Sequence, residues 1–269
     1  MDSAGLALEA KKIRKNILKM IAKTKSSHVG SCFSIVDILT VLYKNILSIS
    51  DPNDPNRDIF ILSKGHAVVA LYSILLSCNI VGQEIVETYA QDGSKLAGHA
   101  ILGSVPGIEA TAGSLGHGLS LVAGLALANK GNARSFYCLL GDGECNEGAV
   151  WEAASFCGHF KLNKVIAIID CNKQQGLGYT DDVMNMNNMA ERWNAFGWEA
   201  IEVDGHNYDD LQKTLLYSHS NRDSLKPLAI IAHTIKGKGV SWMEDKLEWH
   251  YKSPNEAQLD LAINEIDAV

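Results

Sequence analysis

The sequence lacks an excess of basic residues, a CxxC pair and a long apolar run, and each absence excludes a class of protein. Its 24 Lys and Arg against 31 Asp and Glu leave a net charge of −7, whereas a nucleic-acid surface needs a basic stripe. No stretch reaches the roughly 20 apolar residues of a membrane span, and the N-terminal stretch has no secretory core. Six cysteines without paired spacing predict free thiols, so we expect a cytoplasmic protein.

Apolar runs of strand length alternate with helical segments along the chain. The 269 residues are 46% hydrophobic and 20% charged, which is typical of a globular protein with a substantial core. The runs are continuous, as in strands buried on both faces: DIFILS, FYCLL, KVIAIID, WEAIEV and PLAIIA. We therefore predict an α/β fold, a doubly wound and mainly parallel sheet with helices on both faces. We expect one domain over residues 1–269, of which the last ~25 form a C-terminal extension.

Polar and glycine-rich loops follow the predicted strands, at the edge of the sheet where such folds bind ligands. Two of these loops contain Gly141-Asp142-Gly143 and Asn172. Neighbouring strands would bring Asp142 and Asn172 together, and oxygen ligands of this kind suit Mg²⁺ or Ca²⁺, which then bridges to phosphate oxygens. A lone GDG is more often an ordinary strand-to-helix turn, and a lone Asn a left-handed loop residue.

Further motifs accompany GDG and Asn172, and together they resemble the transketolases, which use thiamine diphosphate. The segment GDGECNEGAVWEA closely resembles the transketolase form of the thiamine diphosphate signature, in which an asparagine closes the next strand. The resemblance continues, in the family's order, through SSHVGSCFSIVDIL, LSKGHAVVALY, GHAILGSVPGIEATAGSLGHGLS, AERWNAFGWEAIEVDGHN and AHTIKGKG. It spans nearly the whole chain, which is identified as a member of this family.

The resemblance implies how the diphosphate end of the cofactor is held. The side chains of Asp142 and Asn172 and the backbone carbonyl of Gln174 would bind Mg²⁺, for which Ca²⁺ or Mn²⁺ can substitute. The Gly143 amide, the Asn172 side chain and His66 would contact the cofactor directly.

Histidines matching those of the family's substrate channel come from separate parts of the sequence. The resemblance implies that His28 and His99 bind the donor's hydroxyls and relay protons, and that His250 reaches both diphosphate and substrate. The family prefers a proline after the first two, whereas this chain has Val29 and Ala100.

Two further pairs of residues match family positions. The backbone at Gly113 and Leu115 would meet the aminopyrimidine ring of the cofactor. Glu147 and Glu152 would join a network at the subunit interface that links two cofactor sites, although carboxylates near a helix N-terminus are favourable in any case.

The activating glutamate of the transketolase family lies in a second α/β domain, and nothing in this sequence resembles that half. The resemblance therefore implies a split enzyme in which this chain is a natural N-terminal subunit rather than an artificial truncation. Its partner would be a C-terminal, pyrimidine-binding subunit, in an α₂β₂ heterotetramer. Together they would transfer a two-carbon ketol unit from a ketose, often phosphorylated, to an aldose or other aldehyde.

Two alternatives stay open from the sequence. One is the α subunit of a 2-oxoacid dehydrogenase, which fits NEGAVWEA, the histidine loops and DGHN less well. The other is a non-catalytic, cofactor-binding subunit. The retention of Asp142, Asn172, His28, His66 and His99 argues against it, because a protein without chemistry has no physical reason to keep all five.

Overall fold

A computed structural model of the chain describes residues 1–49, 51, 54–220 and 224–268. Val269, the last residue of the predicted domain, lies outside this part. The described residues form a five-stranded, wholly parallel sheet in the order β1-β2-β3-β5-β4. The strands are β1 (Ile59–Leu62), β2 (Phe136–Gly141), β3 (Val165–Cys171), β4 (Glu199–Asp204) and β5 (Leu228–His233). Each predicted apolar run is a strand, and the α/β prediction is confirmed.

Helices occupy most of the chain between the strands. They are α1 (Ser3–Thr24), α2 (Val29–Phe33), α3 (Val36–Val41), α4 (Val68–Ser77), α5 (Gln83–Val86), α6 (His117–Ala128), α7 (Gly148–His159), α8 (Thr180–Val183), α9 (Met189–Ala195), α10 (Tyr208–Ser220) and α11 (Glu256–Ala268). A π-helical turn spans Leu42–Ile46, and 3₁₀ turns span Gly65–Ala67, Gly143–Asn146 and Leu247–His250. Among the described residues, no helix has the length and apolar character needed to cross a bilayer.

The strands β1, β2, β3 and β5 bury both of their faces, in two separate hydrophobic clusters, whereas β4 at the edge of the sheet is largely half-buried or exposed, unlike the fully buried strand predicted for WEAIEV. In β3, Ile166 and Ile168 point into the cluster formed with α1, α3 and α4, while Ala167 and Ile169 point into the cluster formed with α6, α7 and α9. Burying one such isoleucine stabilises the fold by about 1.5–3 kcal/mol. Helices therefore cover both faces of the sheet, as predicted.

The strand register sets the place of the loops that follow. Gly141 at the end of β2 pairs with Asp170 in β3, and Cys171 at the end of β3 pairs with His233 in β5. Because the strands are parallel, the loops after β1, β2, β3 and β5 leave the sheet at the same edge.

Close packing of α7 on the turn before β4 yields the first prediction. A Cβ atom on Gly158 would overlap the backbone carbonyl oxygen of Phe196, which cannot move aside as a side chain can. Gly158→Ala should therefore lower the free energy of unfolding by about 1–3 kcal/mol in urea titrations. The control is Gly124→Ala in α6, where a Cβ meets no atom within 4 Å. Gly124→Ala should raise the free energy of unfolding by up to about 1 kcal/mol. An equal change in unfolding free energy for the two variants would contradict the close packing of Gly158 against Phe196.

Candidate active site

A cleft of about 400 Å³ opens at the carboxyl ends of the strands. It brings together nearly every residue predicted from the sequence: His28, His66, His99, Gly113, Leu115, Asp142, Gly143, Glu147, Asn172, Gln174 and His250. Glu152 does not line it and is exposed on α7. Two larger grooves, of about 630 and 940 Å³, lie beside β4 and beside α11, and they contain none of these residues. The chemistry is therefore concentrated at the strand ends.

Asp142 and Asn172 lie at the ends of adjacent strands and are both buried. The Asp142 carboxylate accepts hydrogen bonds from the backbone N–H groups of Gly143 (2.7 Å) and Lys173 (2.6 Å). Asn172 donates its side-chain N–H to Asp170 (2.8 Å), which fixes the amide with its oxygen directed away from that carboxylate. Burial and the nearby charge of Asp170 raise the pKa of Asp142 to about 7.

The donor atoms fit an oxygen-bound cation. A positive ion at Asp142 would offset the burial that disfavours its charge. The side-chain Oε1 of Gln174 and Nε2 of Gln175 are buried without a hydrogen-bond partner among the residues that the structure describes, so the cleft has polar groups left for a ligand. Nowhere in the described ranges do three or more His, Cys, Asp or Glu side chains form a metal-binding group. A cation here would therefore use Asp142, Asn172, a backbone carbonyl and ligand oxygens.

Asp170, which the sequence reading missed, is the most connected side chain of the site. It is fully buried and pairs with Lys64 at 2.6 Å. It also accepts hydrogen bonds from Ser34 (2.7 Å), Asn172 (2.8 Å) and Thr234. Burial opposes its charge, but Lys64 and these donors outweigh burial and lower the pKa of Asp170. One carboxylate thus connects β3 to the loops after β1 and β5 and to the segment between α2 and α3.

Glu144 is a second buried carboxylate that the sequence reading missed. It accepts hydrogen bonds from the backbone N–H groups of Gly116 (2.8 Å) and Gly141 (3.1 Å) and from the Ser63 hydroxyl. Burial raises the pKa of Glu144. Gly118 packs against Ser63 so closely that a Cβ there would overlap the Ser63 side chain. Glu144 therefore joins the loops after β1 and β2 to the N-terminus of α6.

The predicted histidines form one cluster around His28. Its ring centroid lies 5.1 Å from that of His66, 5.1 Å from that of His250 and 6.2 Å from that of His99. His28 has φ +77°, a left-handed conformation that is uncommon for residues other than glycine. Its backbone N–H donates to the His250 carbonyl (3.0 Å). Val29, which stands where the family prefers a proline, is the first residue of α2.

The half-buried histidines His28, His66 and His250 are neutral at pH 7, and positive charge comes from lysines. Burial is the main cause that lowers the pKa of His28 to about 4, that of His250 to about 3 and that of His66 well below its ordinary value. Burial and the charge of Lys64 lower the pKa of Lys236 to about 8. The Lys236 ammonium lies 3.0 Å from Nδ1 of His250, and since it only donates, it leaves the imidazole hydrogen on Nε2.

Lys236 and Lys64 are functional candidates that the sequence reading passed over. The signal was present, because both lysines stand in glycine-containing loops after predicted strands, in LSKGH and IKGKG. Because Lys64 is paired with Asp170, the Lys236 ammonium, which lies beside neutral histidines, is the stronger candidate to contact an anion in this cleft. The fold and the cleft define an α/β protein whose candidate ligand site lies at its strand ends.

Comparison with known proteins identifies the family to which this α/β protein belongs. Residues 7–263 match the family described as "Transketolase, thiamine diphosphate binding domain". The chain is 39% identical over 270 residues to an apulose-4-phosphate transketolase subunit from Phocaeicola vulgatus, covering 99% of this chain and 95% of that protein. It is 37% identical over 263 residues to the 6-deoxy-6-sulfo-D-fructose transketolase subunit SqwG of a Clostridium species, covering 96% and 95%.

A solved transketolase structure, of a longer protein, shares the fold of this chain. The transketolase of Campylobacter jejuni superimposes with a TM-score of 0.92 and 32% identity, covering 99% of this chain but 43% of that one. The chain belongs to the transketolase family and corresponds to its thiamine diphosphate-binding domain. Because the two relatives named as transketolase subunits are matched over 95% of their length, the prediction of an N-terminal subunit of a split transketolase is confirmed.

The buried Lys64–Asp170 pair yields a second prediction. Asp170→Ala would leave Lys64 buried without its partner and should lower the free energy of unfolding by about 3–5 kcal/mol. The matched control is Asp267→Ala, whose carboxylate pairs with Lys15 at 2.6 Å on the surface and is 53% exposed. Because water screens that pair, its loss should cost no more than about 1 kcal/mol. Both variants are measured by urea unfolding. An equal loss of unfolding free energy in the two would refute the structural role of Asp170.

Proposed function

We propose that this chain is the cofactor-binding subunit of a two-subunit transketolase. With a separate pyrimidine-domain subunit, it transfers a two-carbon ketol unit from a ketose, often phosphorylated, to an aldehyde. The observation that carries the proposal is a single cleft in which the buried pair Asp142 and Asn172 lies with a cluster of neutral histidines. The two related transketolase subunits are named for an apulose phosphate and a sulfofructose, both of which are anionic sugars.

The diphosphate end of the cofactor is held by the residues after β1, β2 and β3. Asp142, Asn172 and the carbonyl of Gln174 bind Mg²⁺, which Ca²⁺ or Mn²⁺ can replace. His66 donates a hydrogen bond to a diphosphate oxygen, and the Gly143 amide, which donates to Asp142 in this structure, donates to the diphosphate once the cation holds that carboxylate. This proposal is supported by the donor types and by the raised pKa of Asp142, which burial and Asp170 produce and which a cation would reverse.

The remaining walls of the cleft hold the rest of the cofactor. Lys64 and Lys236 supply positive charge near the diphosphate, and Gly113 and Leu115 offer backbone to the aminopyrimidine ring. Thiamine diphosphate, when bound, supplies a thiazolium that serves as an electron sink for carbon–carbon cleavage.

His28, His99 and His250 are the proposed catalytic residues of this chain. The neutral imidazoles of His28 and His250 both donate and accept hydrogen bonds, so in this proposal they bind sugar hydroxyls and move protons between them, with His99 beside His28. The contact with Lys236 supports one specific role, in which His250 presents Nε2–H as a donor.

The partner supplies the activating glutamate and most of the sugar-phosphate contacts, in an α₂β₂ heterotetramer. Glu147 and Glu152 lie at the interface in this proposal. Both are exposed near apolar side chains that are also exposed on α6 and α7, Leu121 and Phe156. A reducing cytoplasm is the proposed location, which the six free cysteines support.

Reconstitution tests the proposed function. Neither protein by itself should turn over a ketose donor with an aldehyde acceptor, whereas the mixture with Mg²⁺ and thiamine diphosphate should. Asp142→Ala should abolish Mg²⁺-dependent cofactor binding in calorimetry of the complex, because the cation loses its only carboxylate in the proposed set. Asp182→Ala, an exposed aspartate of α8, should leave the affinity unchanged. Unaltered affinity in Asp142→Ala, or no turnover across many donors and acceptors, would overturn the proposal.

A further inference from the structure

His206, in the loop after β4, links a buried ion pair to the loop after β5. Its Nε2 accepts a hydrogen bond from the backbone N–H of Ile235 (2.8 Å), so the ring hydrogen is on Nδ1. Nδ1 lies 2.8 Å from the Asp37 carboxylate and donates to it. The two contacts fix both the tautomer and the orientation of the imidazole. Because the ring is fixed at both nitrogens, it holds the backbone at Ile235 in a set position relative to Asp37.

Asp37 is held rigidly on its other sides. Arg14 binds it through two hydrogen bonds of 3.0 and 2.7 Å, and the Tyr208 hydroxyl donates to it at 2.7 Å. Burial opposes the charge, but Arg14 and His206 outweigh burial and hold the pKa of Asp37 well below its ordinary value. Arg14 also donates from Nε to the backbone carbonyl of Lys238 (2.9 Å). The same network therefore anchors the segment 235–238 at both ends.

Lys236 lies between these two anchors. Its side chain is 2% exposed and reaches the cleft, where the ammonium contacts His250. The next residue, Gly237, donates its N–H to the Gly30 carbonyl of α2 (3.1 Å). The backbone of this segment thus has fixed contacts on both sides of the lysine, and a buried, flexible side chain keeps one direction only if its backbone stays in place.

We propose that His206 is a positioning residue that holds the segment 235–238 so that the Lys236 ammonium stays in the cleft. It acts through Lys236, which would pair with the diphosphate of the cofactor. The inference rests on the proposed function, because it needs an anion bound at this place. It gives the DGHN loop, which lies outside the cleft, a part in cofactor affinity.

The pH dependence of cofactor binding separates positioning from simple stabilisation. In the cleft, the charge of Lys64 and burial favour the neutral form of Lys236, while Asp142 and Asp170 favour its ammonium form. His28 and His250 lie beside it and are neutral at pH 7. Since an anion binds the ammonium form more tightly, affinity should be full below about pH 8 and should fall as the pH rises through that value.

The experiment measures the affinity of the assembled two-subunit complex for thiamine diphosphate with Mg²⁺, by calorimetry between about pH 6 and about pH 10. In His206→Ala, the freed Lys236 side chain lies closer to water, which raises its pKa toward the ordinary lysine value. Affinity at neutral pH should fall about tenfold, and the midpoint of its pH dependence should rise by about one unit or more. His206→Gln carries an acceptor and a donor at its end and should restore both values.

Matched variants keep the test decisive. Tyr208→Phe removes a hydrogen bond to Asp37 but leaves the bond between His206 and Ile235, so it should lower stability without moving the midpoint. His233→Ala is the control histidine, because that ring contacts Glu202 at 2.8 Å and not the segment 235–238. If His206→Ala fails to fold, His206→Asn retains a donor for Asp37 but does not reach Ile235, and it should show the same shift.

The outcomes distinguish this inference from the function on which it rests. An unchanged midpoint and affinity in His206→Ala, or in His206→Asn, would overturn the positioning role even if stability falls. A wild-type complex that binds no thiamine diphosphate with Mg²⁺ at any pH would overturn the proposed function, and the inference with it. A raised midpoint in His206→Ala, with recovery in His206→Gln, would establish the role.

Discussion

The cleft depends on one buried ion pair, that between Lys64 and Asp170. The two residues belong to the loop after β1 and to the end of β3, which are not adjacent in the sheet. Removing two charges from water is costly, and it is tolerated here because every direction around the carboxylate has a donor, including Ser34 and Thr234. The same carboxylate orients Asn172. Because the Asp170 carboxylate is bonded to all of these groups, it fixes their positions relative to one another.

The cleft contains a buried carboxylate and a buried lysine, which could bind a cation and an anion respectively. Asp142 is buried with two backbone donors and no positive side chain bonded to it, while Lys236 is buried against an imidazole. A divalent cation would satisfy the first and a diphosphate the second, and each would also neutralise the other. The protein therefore places a buried carboxylate and a lysine in one cleft, the two charges that the metal–diphosphate unit of the proposed cofactor would need. The neutral histidines beside them remain free to contact a sugar.

The strands were predictable because parallel strands between two helical layers are apolar throughout, as KVIAIID and PLAIIA are. The gathering of Asp142, Asn172 and the histidines at one edge followed from the parallel topology. Asp170 and Glu144 were missed because a charged residue is buried only when distant segments supply its partners, and their partners are Lys64, Thr234, Ser63 and backbone amides. These partners come together only in the tertiary fold, so no local sequence pattern predicts them.

The central claim, that the Lys64–Asp170 pair organises a metal–diphosphate site, is tested most directly by replacing both partners at once. In Lys64→Met/Asp170→Leu no buried charge is left alone, so the fold should survive with a cooperative unfolding transition. Calorimetry of the double variant in complex with its partner subunit should nevertheless show that binding of thiamine diphosphate with Mg²⁺ is weakened by about tenfold to a hundredfold, as for loss of the groups that orient a metal ligand. A folded double variant that binds the cofactor as tightly as the wild type would contradict the account.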